Sequence, residues 1–256
     1  MPDDPAVLTE RRDRVLLITL NRPEARNAVN LALAEGVAAA LDTLDDDGDL
    51  SAGVLTGAGK GFSAGMDLKA FVAGQRPWVG DRGFAGIVQR ASRKPLIAAI
   101  EGFAVAGGLE IALSCDLIVA SRGAKLGIPE VKRSLVAAAG ALRRLPQRLP
   151  YNVAMELALT GDPLTAERAY ELGLVNRVAE PGEALAAALE LAAIIAKNGP
   201  LALDATKATL QQQFDWGEAE FWQRQGELAG PVMASEDARE GAIAFSEKRE
   251  PVWQGR

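Results

Sequence analysis

The sequence predicts an α/β fold ending in a helical region, and three observations carry that expectation. Between residues 14 and 135, short apolar runs alternate with glycine-rich turns and helical patterns, the alternation that packs helices on sheets. After about residue 138 the pattern becomes almost wholly helical. At 256 residues, with 48% hydrophobic and 24% charged side chains, the chain is long enough to bury roughly three quarters of its unfolded surface.

Residues 14–20 (RVLLITL) read as a strand. Over 29–44, Val29, Leu33, Val37, Leu41 and Leu44 fall on one helical face. Residues 52–56 form a second strand before the turn 57–61, and Asp67 is placed to cap a helix, because a carboxylate there satisfies free amide N–H groups. A third strand spans 96–100 and leads through Gly107-Gly108 into a helix over 109–114; a fourth spans 116–120, and Gly127-Ile128-Pro129 ends an extended piece before Glu130. Helices are then expected over 138–149, 151–159, 165–172, 183–198, 200–213, 218–229 and 235–247, with one strand at 174–178. Thr165 is an N-cap and Gly173 a C-terminal stop. No low-complexity linker separates the two parts. Trp216 and Trp222 fit a core or a subunit interface, core being the commoner case.

The composition excludes several chemistries. There is no histidine, so Ser-His-Asp and Cys-His catalysis and His-ligated metals are ruled out. A lone cysteine, Cys115, excludes an intramolecular disulfide, a Cys-rich zinc site and an iron–sulfur cluster. No metal is expected, and acid–base work falls to Asp, Glu, Lys, Tyr or Cys115. The net charge of −6 argues against broad binding to nucleic acid; the basic patch Arg143, Arg144 and Arg148 reads as a solvated helix face. Residues 1–13 are polar and mixed in charge, unlike a secretory segment, and the longest apolar runs fall far short of the ~20 residues of a membrane helix. The expectation is a cytoplasmic protein with no membrane partner.

Three segments can carry chemistry. In 61–68 (GFSAGMDL), small residues before a helix let a ligand approach the backbone, although a plain strand-to-helix turn has the same composition. In 104–113 (AVAGGLEIAL), glycines at a helix start leave N–H groups free for an oxyanion, and Glu110 among apolar neighbours is either solvent-facing or buried with a raised pKa. In 125–131 (KLGIPEV), Pro129 fixes the turn ahead of Glu130, which by itself reads as a helix N-terminal charge.

These segments, with Leu20-Asn21-Arg22-Pro23-Glu24, Asn27-Ala28, Thr56-Gly57, Cys115-Asp116-Leu117, Leu159-Thr160-Gly161-Asp162 and Glu171-Leu172-Gly173-Leu174-Val175-Asn176, occur in an order and spacing that resembles the enoyl-CoA hydratase/isomerase (crotonase) superfamily over nearly the whole chain. The tail, from Ser235-Glu236-Asp237 through Phe245-Ser246-Glu247-Lys248-Arg249 to Pro251-Val252-Trp253, resembles family members that include carnitinyl-CoA dehydratases. The resemblance implies a spiral of repeated ββα units over residues 1–195 and a helical oligomerisation region over 196–256. It implies hydration of a 2-enoyl-CoA thioester with no cofactor beyond the coenzyme A of the substrate, and assembly as a homotrimer or a hexamer built as a dimer of trimers. Residue by residue, it assigns the oxyanion hole to the backbone N–H groups of Met66 and Gly107 and catalysis to Glu110 and Glu130. Ala64, Asp67 and Leu68 match the adenine and pantetheine path, Ala25 a backbone contact at the nucleotide end, and Lys248 a lysine near the CoA phosphates.

The chain departs from the family pattern after Glu130. Ser134 stands where many hydratases have glycine, Ala137 where they have proline, and Gly140-Ala141 where they have a glycine pair. Each added Cβ is expected to narrow the water site. Within the family the alternatives are a specialised dehydratase such as one for carnitinyl-CoA, or an isomerase, against which the two glutamates argue mildly. Outside catalysis the alternative is an acyl-CoA- or RNA-binding relative, which would not need buried carboxylates.

Overall fold

The computed structural model describes residues 4–256, so residues 1–3 of the polar start lie outside the described part. The first half runs β1 (Val7–Arg12), β2 (Val15–Leu20), α1 (Leu31–Asp46), β3 (Ala52–Gly57), α2 (Leu68–Val72), β4 (Trp78–Val79), β5 (Gly83–Phe84), β6 (Leu96–Ile100), β7 (Phe103–Val105), α3 (Gly107–Ser114), β8 (Leu117–Ser121) and β9 (Lys125–Gly127). The second half is mostly helical: α4 (Ala141–Arg148), α5 (Tyr151–Thr160), β10 (Leu164–Thr165), α6 (Ala166–Glu171), β11 (Arg177–Ala179), α7 (Ala184–Ala196), α8 (Pro200–Gln212), α9 (Glu218–Met233) and α10 (Glu236–Glu247).

Six strands form one sheet in the order β1-β2-β3-β6-β8-β11. The β1–β2 hairpin is antiparallel, with Val7 opposite Leu20, and the remaining pairs are parallel. Side chains alternate across a strand, and here both faces are covered. Leu16, Ile18 and Leu20 join α1 and α3 in the larger core, while Val15 and Leu17 turn to a second core with Val54, Ile97 and Val119. Helix α7 closes that second face with Ala188, Ala192 and Ala196, small side chains four residues apart that let the helix lie close to the sheet. A smaller sheet, β10-β9-β7, stands beside the first, and β4 and β5 form a separate hairpin.

Several expectations change in detail. The strand over 14–20 is β2, but β1 precedes it; its mostly exposed VLTERR pattern, fitting an edge strand, gave no apolar run to read. Helix α1 starts at Leu31 because Asn30 caps it, accepting from Leu33 N, and Val29 instead bridges to Met66. The helix expected over 138–149 begins at Ala141, and the strand expected over 174–178 is β11, with Leu174 and Val175 buried in the preceding turn. Trp222 is 62% exposed and Trp216 half-buried, so neither belongs to the core. Among the described residues, no single helix is long and apolar enough to cross a membrane.

Candidate active site

The site begins with two loops held edge to edge. Val29 N donates to Gly65 O and Asp67 N to Val29 O, so the segment around Met66 lies beside the end of the 21–30 loop. Asn27, fully buried, fixes that loop: its amide donates to the carbonyls of Ala58 and Gly61, and its oxygen accepts from Arg22 N. Ser63 Oγ donates to Asn27 O and accepts from Gly65 N. These bonds leave Met66 N–H with no acceptor among the described residues.

The second loop is β7–α3. Ala106 N donates to Gly127 O, and Ala106 itself sits at φ 53, ψ −132, a region costly for a residue with a Cβ. That conformation starts α3 abruptly: Leu109 N and Glu110 N turn back to Ala106 O, while the N–H groups of Gly107 and Gly108 find no acceptor among the described residues. The two loops touch at glycines. A Cβ on Gly65 would lie 2.7 Å from Gly107 N, and one on Gly108 would lie 2.1 Å from Ser63 O. The close approach therefore depends on bare backbone, and it brings Met66 and Gly107, the two expected oxyanion donors, to adjoining loops.

The carboxyl groups follow. Glu110, in the first turn of α3, is 3% exposed, which removes the solvent-facing reading. Its Oε1 accepts from Ala139 N at 2.7 Å and Ala141 N at 3.1 Å. Burial raises its pKa; the nearby Glu130 charge raises it further, while the two amides and Arg144 pull it down. Glu130 sits in a 3-10 turn, Pro129–Arg133, and is half-buried. Burial raises its pKa too, opposed by its own backbone N–H and Arg133. Its Oε2 is buried with no hydrogen-bond partner among the described residues. The two glutamates are thus unlike: one carboxylate is cradled by amides, the other is poorly solvated.

The remaining expected residues are spread along the rim. Asp67 caps α2, accepting from Lys69 N and Ala70 N, and pairs with Arg22 at 3.0 Å; burial pushes its pKa up, but these donors outweigh it and hold it low. Leu68 is 48% exposed beside it. Ala64 N donates to Arg26 O, and Ala25 ends the 3-10 turn Pro23–Ala25. Lys248 stands exposed at the C-terminal end of α10, in the helical region rather than on these loops.

Sequence reasoning missed the amides of Ala139 and Ala141 because backbone donors leave no trace in residue type. It also missed the ring of Phe84, packed on Gly107, since a two-residue strand has no periodicity. The expected narrowing at Ser134 is absent: that side chain is exposed, and its cost is conformational, at φ 52. Nor are the three arginines one solvated face. Arg143 is exposed and pairs with Asp215, but Arg144 donates inward to Val88 O and Arg148 is half-buried.

Two main-chain N–H groups without acceptors on adjoining loops, beside two glutamates whose pKa is raised by burial, are an arrangement able to stabilise a developing oxyanion, and the comparisons give the family. The chain belongs to the enoyl-CoA hydratase/isomerase family, which it matches over residues 10–256. It is 43% identical to the enoyl-CoA hydratase EchA19 of Mycobacterium tuberculosis, covering 98% of this chain and 97% of that one. It is 40% identical to a carnitinyl-CoA dehydratase of Salmonella arizonae, over 96% of this chain and 97% of the relative. A crystal structure of an enoyl-CoA hydratase from M. tuberculosis superposes with a TM-score of 0.97 at 56% identity, covering 99% of this chain and 100% of that one. The α/β fold is therefore the crotonase-like one, completed by a C-terminal helical region.

Proposed function

We propose that this chain adds water across the 2,3 double bond of a 2-enoyl-CoA thioester. The observation that carries the reading is the pair of unspent backbone donors, Met66 and Gly107, on loops pressed together beside Glu110 and Glu130. Negative charge gathers on the thioester oxygen as water adds at C3, and two fixed N–H groups stabilise it without any histidine. Losing one such donor in comparable sites costs about 2.7–4 kcal/mol. The environments of the carboxyls divide the proton work. Glu110, with two amides on one oxygen, is suited to be the ionised base that takes a proton from water. Glu130, with a buried unpartnered oxygen, is suited to hold the proton that goes to C2. A carboxylate at one position raises the pKa of the other, which favours one proton shared between them.

Coenzyme A enters as part of the substrate, with Ala25, Ala64, Asp67 and Leu68 along its path and Lys248 near its phosphates; no further cofactor is called for. The helical segment 196–256 is the association region of a trimer or a dimer of trimers. Helix α9 has no buried residue, and Met233 and Phe245 are 79% and 88% exposed, which supports that assignment. The cytoplasm is the compartment this reading places it in. The relatives named carnitinyl-CoA dehydratase support a second reading, a dehydratase for a specialised acyl group.

The test is crotonyl-CoA hydration by the purified protein, followed as loss of enoyl-thioester absorbance, beside a Glu110→Gln/Glu130→Gln double variant. Turnover that falls by orders of magnitude in the variant, with acyl-CoA binding kept, is the expected result. Equal turnover in both proteins would end the mechanism.

A further inference from the structure

Two backbone amides converge on one oxygen of Glu110, and the residue between them is Gly140. Gly140 sits at φ +103, and a Cβ on it would collide with Arg144 Nη1, so both the backbone and the space call for glycine. The guanidinium therefore lies against the turn whose flanking amides, Ala139 N and Ala141 N, hold the carboxylate. No ion pair draws it there. Arg143 pairs with Asp215, whereas among the described residues no carboxylate stands at ion-pair distance from Arg144.

The other arm of Arg144, Nη2, donates to Val88 O, and that anchor is well fixed. Val88 N donates to Phe84 O. The Phe84 ring packs on Gly107 and is backed by Trp78, the ring centroids 5.3 Å apart. Arg82, two residues earlier, is buried and donates to Asp42 on α1 and to the carbonyls of Arg90 and Ala91. One guanidinium thus ties the turn that cradles Glu110 to the segment that braces Gly107.

Its charge matters as well as its shape. Glu110 feels Glu130 from the Pro129–Arg133 turn, which opposes a second negative charge, and Arg144 from α4, which favours it. Arg144 in turn faces Arg148 and Arg143 on its own helix, Glu110 on α3 and the Cys115 thiol just beyond α3. Arginine keeps its proton at every working pH, so its field on Glu110 does not switch off.

We propose that Arg144 is the positioning residue for Glu110: its fork holds the 139–141 turn on the carboxylate, and its permanent charge keeps that carboxylate ionised to take a proton from water. This deepens the hydratase reading above and rests on it for the use made of the ionised carboxylate. The test follows Glu110 by infrared difference spectroscopy, as the carboxylate band lost in Glu110→Gln, while pH is titrated in the parent, Arg144→Gln and Arg144→Lys. The acid limb of kcat/KM for crotonyl-CoA is measured beside it. Without the positive charge the carboxylate is less stable, so in Arg144→Gln both midpoints should move up by about 1 pH unit. Arg144→Lys keeps the charge but not the fork. Its midpoints should return most of the way to the parent's, while its plateau kcat stays down by roughly tenfold because the turn is no longer held. An infrared midpoint unmoved in Arg144→Gln, or moved equally in both variants, would overturn the proposal. If Arg144→Gln does not fold, Arg144→Lys decides: a midpoint up by about 1 pH unit, or a parental plateau kcat, would overturn it. Infrared shifts as expected in a parent that hydrates no enoyl-CoA would keep the coupling of Arg144 to Glu110 and remove the hydratase reading.

Discussion

Gly107→Ala is the sharpest probe of how the two donors are held. Gly107 is the first residue of α3 and is not at positive φ, so an alanine is acceptable to the backbone there. What it meets is Phe84, with ring atoms at 2.7 and 2.8 Å, and Gly65 Cα at 3.3 Å. To reach ordinary contact at 3.4 Å, the ring and α3 must part by about 0.7 Å. Phe84 is buried and backed by Trp78, so α3 takes part of that shift and carries its donor away from Met66. A displacement approaching 1 Å costs up to about 100-fold in rate, and the overpacking costs about 1–3 kcal/mol of stability. Initial rates with crotonyl-CoA should show kcat down roughly 10- to 100-fold, and thermal unfolding should show Tm lower by about 2–12 °C. Adding Phe84→Leu makes room and should restore at least tenfold of the lost rate. A Gly107→Ala protein with parental kcat would refute the reasoning, as would a rate loss that Phe84→Leu leaves untouched.

Three further outcomes follow from the packing. Burial pushes the Glu130 carboxyl above its ordinary value of 4.5, so the folded protein holds that proton more tightly than the unfolded chain. Stability from this group is present at acid pH and is lost as pH rises through the folded value. Glu130→Gln should therefore match the parent in urea unfolding well below pH 4.5 and exceed it at neutral pH; a variant less stable at neutral pH would contradict the burial argument. Lys207, 8% exposed, donates to Asp116 Oδ2 at 2.7 Å and to Lys94 O at 2.8 Å. Lys207→Met should cost about 3 kcal/mol by chemical denaturation, and a loss under 1 kcal/mol would show the pair to be dispensable. Burial also pushes the Cys115 thiol up to about 12, and the residue is 1% exposed. Thiol-directed reagents should label it only as fast as the protein unfolds, and rapid labelling of the native protein would disprove that shielding.

Much of this was legible in the sequence where residue type is dictated by its surroundings. The parallel strands are buried on both faces, so 96–100 reads as a continuous apolar run, and Asp67 advertises its cap because few side chains can fill one. Gly108 is visible because a side chain there would run into Ser63 O, and Gly107 because one there would run into the ring of Phe84. The parts that stayed hidden depend on main-chain geometry or distant partners. Ala106 gives no sign of its left-handed φ, and Ala139 and Ala141 look like helix filler until their amides are found on Glu110. The Arg82 anchor is equally silent, because its partner Asp42 lies on α1.

The main-chain bonds that place the two donors have a consequence for how this protein is made. Met66 is held by Val29, and the turn before Gly107 by Gly127, so each donor depends on a segment far from it in the chain. Contacts of such sequence separation form late in folding. No short fragment can contain the proposed hole, and a nascent chain lacks these main-chain bonds until residue 127 has emerged and docked. Splitting the protein at an exposed turn and mixing the halves should give activity that rises with reassembly rather than in proportion to either half.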